Sequence, residues 1–348
     1  MRALGASRTS VATGGVLAGN WVRNPLWTRA RAVPSLDLRF ADNKTLGDAV
    51  GGGSLVTFTR ASSATYVGSD GLIKTATTNE ARFDHNPTTG ESLGLLVEEA
   101  RTNLLLNSAT LSTQSVTVAA AANTLSFYGT GTVTLTGVST AGPLVGTGAN
   151  NRVSLTFTPT VGVLVVTVSG SVTNAQLEAG ASPTSYIPTT TATVTRAADV
   201  ASITGSNFSS WYNQTEGTVF SDSNIIASQV QTQTVWQLGG GTILSSLRQP
   251  QGTSNQFRAL IGGTFTASPG TGGLLSAGTS KAGVAYLGTA GRLQVASSGV
   301  DSTGSSLDAN KLDIGSLNPG SSLNGTIKRI TYWPVRLANT TLQSITAP

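Results

Sequence analysis

The chain has 348 residues, enough for two or three domains, and contains no cysteine, one histidine and one methionine, so disulfides, thiolate metal sites and cysteine nucleophiles are excluded. Charged residues make up 11% of the chain, against roughly 25% in ordinary soluble domains, while glycine reaches 41 residues. That leaves too little Glu, Lys and Arg to wet the outer faces of long amphipathic helices, and the expected fold is all-β.

Residues 1–35 hold Arg2, Arg8, Arg23, Arg29 and Arg31 and no acid, so they carry the whole net charge of +5; the remainder has 16 basic and 16 acidic residues. Trp21, Pro25, Trp27 and Pro34 stand there among small residues without helical or strand periodicity, which reads as an extended basic arm. No aromatic-interleaved basic stripe follows, so the arm points to protein docking or plain solvation rather than to nucleic acid. Trp21 and Trp27, with Arg23, Arg29 and Arg31, are its candidate anchors; the alternative is that the tryptophans fold back onto the chain's own body. The first twenty residues make a poor signal peptide. The most apolar run, VGVLVVTVSGSV at 161–172, falls short of the ~20 residues of a membrane helix and reads as a buried strand; no membrane partner is expected.

Residues 36–110 read as a β-rich section of short strands, with GSDG as a hairpin turn inside YVGSDGLIKT and Asn86-Pro87 and Thr89-Gly90 as a second turn signal. LVEEARTNLLLN, 96–107, fits either a short helix or a strand that ends in a turn. From 111 to 191 the alternation becomes regular, as in RVSLTFTPT with Val153, Leu155 and Phe157 on one face; Leu125 and Phe127 share a face that Val133 and Leu135 continue. This is the pattern of a small antiparallel jelly roll. PTSYIPTTTATV, 183–194, is an extended connector, and 192–348 supplies at least six more strands, a second and larger β-sandwich, with a helical turn in LANTTLQSI. The triplet Thr-Arg-Ala occurs at 59–61 and again at 195–197, each time leading into strand-like text.

Reactive groups are scarce. Glycosidase catalysis needs two carboxylates flanking one bond, yet the Glu-x-Asp-x-x-Glu pattern is absent. Glu98 and Glu99 would point to opposite faces of a strand, and Glu80, Asp84 and Glu91 lie in loop-like text. His85, the single histidine, has only its sequence neighbour Asp84 to orient it, so no Ser-His-Asp triad is expected. The glycine clusters at 51–54, 238–242 and 269–275 lack the Gly-Lys-Ser/Thr ending of a phosphate loop and read as turns. Neither catalytic residues nor a cofactor are expected. Sugars stack on aromatic faces, and Trp211, Tyr212 and Trp236 are the candidate glycan contacts; Tyr332 and Trp333 alternate, so one of them should be core.

Residues 196–348 resemble the concanavalin A-like or laminin-G sandwich, whose last strand reads like GTIKRITYWPVRL with a short L…T…LQ segment after it. That resemblance implies possible Ca²⁺ binding, for which Asp222, Asp301 and Asp313 are the acids available. FTRASSATYVGSDGLIKTATTNEARFDH, GLLVEEARTNLLLNS and AQLEAGASPTSYIPTTTATVTRAADV together resemble a modular block of bacteriophage tail, fibre and other virion proteins, over about 36–220. This second resemblance implies a non-enzymatic virion component without saying which part of the particle; a fibre, spike or decoration protein exposed on the particle surface is the expectation. Its arm would attach to capsid, tail or baseplate proteins. Sheet edges in fibres are commonly covered by further copies, so a homo-oligomer, first of all a trimer, is expected. A carbohydrate-binding module for a host-surface receptor is the alternative, and a polysaccharide depolymerase the third possibility.

Overall fold

The computed structural model describes residues 24–225, 233–240, 244–251, 254–261, 264–266, 278–295, 298–303, 307–316 and 322–347. Trp21 and Arg23 lie outside them. Strands account for 51% of the chain and helices for 9%, and the named strands pair antiparallel, so the fold is all-β as the composition requires.

The larger core lies between two sheets. One contains, in spatial order, Ser298–Thr303, Ala290–Val295, Gly278–Leu287, Glu216–Ile225, Gly325–Trp333, Ser92–Val97 and Phe83–His85, with Leu36–Leu38 also paired to Gly325–Trp333. The other runs Thr57–Thr59, Val200–Thr204, Ala309–Ile314, Gln233–Gly240, Leu244–Gln251, Ser254–Ile261 and Thr264–Thr266. Val219, Val284, Leu293, Ile327 and Ile330 of the first sheet share a core with Ile203, Trp236, Leu238, Leu312 and Ile314 of the second. Residues 36–97 therefore do not stand apart as the sequence suggested. Leu36–Leu38, Thr57–Thr59, Phe83–His85 and Ser92–Val97 are too short to bury a face alone and are woven into the sheets of the C-terminal sandwich, while Ala64–Val67 and Ile73–Ala76 form a two-stranded sheet of their own. Where Ser92–Val97 meets Gly325–Trp333, Gly94 has φ +93° and a Cβ there would lie 2.1 Å from the Ile327 carbonyl oxygen, so only glycine fits.

The second core belongs to seven strands between 114 and 179. Leu144–Val145, Thr132–Gly137, Gly162–Ser169 and Gln114–Val118 form one sheet; Gly148–Phe157, Asn123–Gly129 and Val172–Ala179 form the other. The expectation that Val133 and Leu135 continue the face of Leu125 and Phe127 is corrected. The chain changes sheets at Gly129 and Gly131, so the two pairs meet across the core from opposite sides. The apolar run 161–172 buries only one face: Leu164 and Val166 are inside, while Val161 and Val163 are 72% and 53% exposed.

Segment 96–107 is the strand alternative. It leaves Ser92–Val97 and continues as Arg101–Asn103, which pairs with Val194–Arg196, so the chain departs for the seven-stranded insert and returns from it side by side. The hairpin Ala64–Val67 with Ile73–Ala76 forms across GSDG as read.

The described end of the arm is not extended. Pro25–Ala30 is a helix capped by Asn24, whose Oδ1 accepts the Leu26 N–H at 3.1 Å, with proline at the first position where its missing N–H costs nothing. It packs on the C-terminal helix Asn339–Thr346, two turns where one was expected. Leu26, Trp27, Leu337, Leu342 and Ile345 enclose Trp333 there. Both Tyr332 and Trp333 are consequently buried, one in the sandwich and one beneath the helices.

Candidate functional site

The Thr-Arg-Ala copies at 59–61 and 195–197 meet. Thr59 pairs with Val200, the Ser62 hydroxyl accepts the Ala197 N–H at 2.9 Å, and Arg60 and Arg196 both turn into one buried ionic joint. Arg82 is its centre: Nη2 reaches Asp199 Oδ2 at 2.5 Å and Nη1 reaches Glu98 Oε2 at 2.9 Å. Arg60 holds the other oxygen of Asp199 at 3.1 Å, and Arg196 approaches Glu98 at 3.5 Å. The backbone N–H of Glu98 donates to Asp199 at 2.9 Å, and Ser185 donates both its N–H and its hydroxyl to Glu98 at 2.6 Å. These residues come from strand ends and connectors on both sides of the insert, and the joint fastens the insert to the sandwich.

A buried carboxylate survives ionised only when paired and hydrogen-bonded. Burial pushes the Glu98 carboxyl up, but Arg196, Arg82 and Ser185 outweigh it and bring it down to about 2. Each oxygen of Glu98 and Asp199 is occupied by donors, so neither acid is free to move a proton for a substrate. Glu99 faces the other way, as the alternation predicted. It pairs with Arg101 and accepts the Asn324 amide at 2.9 Å in an open groove of about 730 Å³ along the neck of the insert.

Several residues singled out in the sequence sit where they cannot do what was expected of them. Trp27, an anchor candidate for a partner's pocket, is fully buried in this chain, its indole N–H on Asp37 at 3.0 Å. Arg39 at 2.7 Å and Arg329 at 2.6 Å balance that carboxylate, so the ring gains burial without stranding its N–H. Arg29 and Arg31 are exposed; Arg29 donates to the Ser344 carbonyl at 3.2 Å and Arg31 closes the helix with φ 53°. The glycan contacts are corrected too. Trp236 is fully buried, and Trp211 is 5% exposed between the rings of Phe208 and Tyr332, so neither offers a face to a sugar. Tyr212 is half-buried against Phe208.

The acids proposed for Ca²⁺ do not converge. Asp301 pairs with Arg292 and Asp313 with Lys311, while Asp222 lies on a different strand, and among the described residues no group of three or more His, Asp or Glu is placed to hold a metal ion. Among the loop acids, Glu80 accepts the Thr77 N–H at 2.7 Å and Glu91 pairs with Lys328. His85 has its Nδ1 3.0 Å from the Val67 carbonyl. No described helix is long and apolar enough to cross a membrane.

Sequence reading missed the joint. Its signal was present: in a chain with so few charges, Arg60, Arg82, Glu98 and Arg196 stand in or beside strand-like text, where a charge needs a partner.

No protein-family model matches the chain, and comparison with curated proteins finds no relative. Among solved structures it is similar to a Trypanosoma rangeli sialidase in complex with sialic acid, at 14% identity and TM-score 0.33, over 42% of this chain and 26% of that one. It is also similar to the receptor-binding domain of botulinum neurotoxin mosaic serotype C/D, at 9% identity and TM-score 0.31, over 42% and 39%. A third is the CBM2 module of the evolved Dit of Lactobacillus casei BL23 phage J-1, at 11% identity and TM-score 0.26, over 39% and 69%. The chain thus spans about a quarter of the sialidase, and at these scores none of the three says what it binds or does.

Proposed function

We propose that the chain is a non-enzymatic structural component of a bacteriophage particle, a fibre, spike or decoration protein whose sandwich carries the seven-stranded insert in a fixed orientation. The observation that supports this reading is the joint. The three stretches that resemble virion modules are the stretches that build it: FTRASSATYV gives Arg60, NEARFDH gives Arg82, GLLVEEA gives Glu98, and SPTSYIP…TRAAD gives Ser185, Arg196 and Asp199. The shared text encodes a rigid connection and leaves its acids fully engaged, which suits a part that works by position. Because residues 24–35 belong to the body, attachment to neighbouring virion proteins falls to residues 1–23, with Arg29 and Arg31 exposed beside them. Copies associate, with a trimer as the first expectation.

Immunogold labelling of particles from the host that carries the coding sequence tests this. Label on particles, lost when residues 1–23 are deleted from an otherwise folded chain, is the expected result. Label confined to the soluble fraction contradicts it.

A further inference from the structure

Beside the joint, between sandwich and insert, lies a cavity of about 180 Å³ lined by Tyr66, Ile73 and Asp84 from one side and Tyr128, Arg152 and Thr184 from the other. Two features set it apart from the joint itself. Asp84 takes the Val67 N–H at 2.7 Å but has no ion-pair partner among the described residues, although Glu98 and Asp199 nearby are both held by arginines. Arg152 spends Nη1 on the Thr184 carbonyl at 2.6 Å and Nη2 on the Ser126 hydroxyl at 2.8 Å, and its buried Nε has no partner among the described residues. One acid and one guanidinium thus line the same small space without neutralising each other.

Tyr128 lies close enough to both Asp84 and Arg152 to feel their charges. Burial raises the Tyr128 phenol, with Arg152 opposing and Asp84 adding to the shift. Burial likewise pushes Asp84 up, to about 6, against the Val67 hydrogen bond. Asp84 and Arg152 are half-buried, and a charge partly withdrawn from water gains from a group that completes its hydrogen bonds. Here the missing pieces are a donor for the carboxylate and an acceptor for the guanidinium.

We infer that this cleft binds one neutral pyranose residue, its hydroxyls donating to Asp84 and accepting from Arg152 while its C–H face lies on the Tyr66 and Tyr128 rings. Asp84 and Arg152 are opposite in charge though not paired, so neither sign dominates the lining, which favours an uncharged ligand over a sialic or uronic acid. The volume is below the roughly 300–1,000 Å³ of pockets for drug-sized ligands and suits a single ring. Aromatic rings with a few placed polar groups are the usual means of holding such a ring. The cleft spans both halves of the fold, so it exists only while the joint holds them together. The inference does not depend on the chain being part of a particle.

Saturation-transfer NMR on the full chain with glucose, galactose, mannose, rhamnose and N-acetylglucosamine tests it. Transfer to at least one sugar is expected. Asp84→Asn, which keeps an oxygen for Val67, should weaken that binding by about tenfold or more, the worth of a hydrogen bond to a charged group. Tyr128→Ala removes a stacking ring and serves as the second probe if Asp84→Asn unfolds; it should weaken binding several-fold. No transfer to any of the five sugars overturns the inference, as does binding that folded Asp84→Asn and Tyr128→Ala leave undiminished. Sugar binding by a chain absent from particles would sink the virion reading and leave this one standing; the reverse result would do the opposite.

Discussion

Arg82 and Asp199 form an ion pair of 2.5 Å in which neither side chain reaches solvent, and the same guanidinium holds Glu98 at 2.9 Å. One cation therefore serves two buried acids from opposite ends of the insert. Arg82→Met leaves both acids short of charge and should destabilise the fold by about 3–5 kcal/mol, as removal of one partner of a buried pair does. Arg82→Lys should recover little, because an ammonium cannot present the forked pair of donors. Urea denaturation of the three proteins measures this.

Acid titration should show two opposing regions. The Asp84 pKa is raised in the fold, to about 6 from 3.8, so the folded state binds its proton more tightly than the unfolded state; stability rises as pH falls from about 6 towards 4. Glu98 is lowered from 4.5 to about 2, so its contribution is complete above 4.5 and is lost as pH falls below that towards 2. Thermal melts across pH 7 to 2 should pass through a maximum near 4 to 5. Asp84→Asn should remove the rise and keep the acid loss. Sugar binding at the cleft runs the other way from the first region, because it needs the ionised carboxylate: affinity should fall as pH drops through about 6. The titratable groups that line that cleft are Tyr66, Asp84, Glu98, Tyr128, Arg152 and Tyr186, with Arg82 and His85 flanking Asp84 in the chain, and Asp84→Asn tells whether the fall belongs to Asp84.

Gly94 and Gly288 make a matched pair. Both have positive φ, but a Cβ at Gly94 would strike the Ile327 carbonyl oxygen at 2.1 Å, whereas at Gly288 it meets nothing within 4 Å. Gly94→Ala should cost at least about 2 kcal/mol and Gly288→Ala only about 1, the backbone strain alone. Differential scanning calorimetry of both separates the contact from the conformation.

Trp27→Ala should cost about 3–5 kcal/mol, the range for emptying a buried tryptophan site. Deletion of residues 1–23 should leave the melting temperature nearly unchanged. Equal losses from both changes would mean that the stretch before Asn24 supports the body.

The all-β class was legible because charge scarcity and period-two alternation act on every strand and need no knowledge of partners. The insert was legible for the same reason: RVSLTFTPT and its neighbours pair with strands close in sequence, Leu155 with Leu125 for example. What could not be read was pairing across the insert. Leu36–Leu38 lies against Tyr332, Thr331 and Ile330, almost the whole chain away, and no local pattern states that. Whether Trp27 anchors a partner or folds back onto its own chain stayed open in the sequence, because its acceptor, Asp37, and the helix at 339–346 that covers it are both invisible from the residues around it. Trp211 and Trp236 were candidate sugar contacts by residue type, with a place in the core as the favoured reading, and both lie in the core. The repeated Thr-Arg-Ala was seen, yet its meaning lies in Asp199 and Glu98, which it reaches only in three dimensions.

Cryo-electron microscopy of the phage particle is the most direct test of the virion reading. The expected map contains both sandwiches, joined in one fixed orientation and projecting from the particle, with residues 1–23 leading into neighbouring subunits and copies grouped about a threefold axis. A particle map with every protein density assigned and none that fits this fold would contradict the proposal.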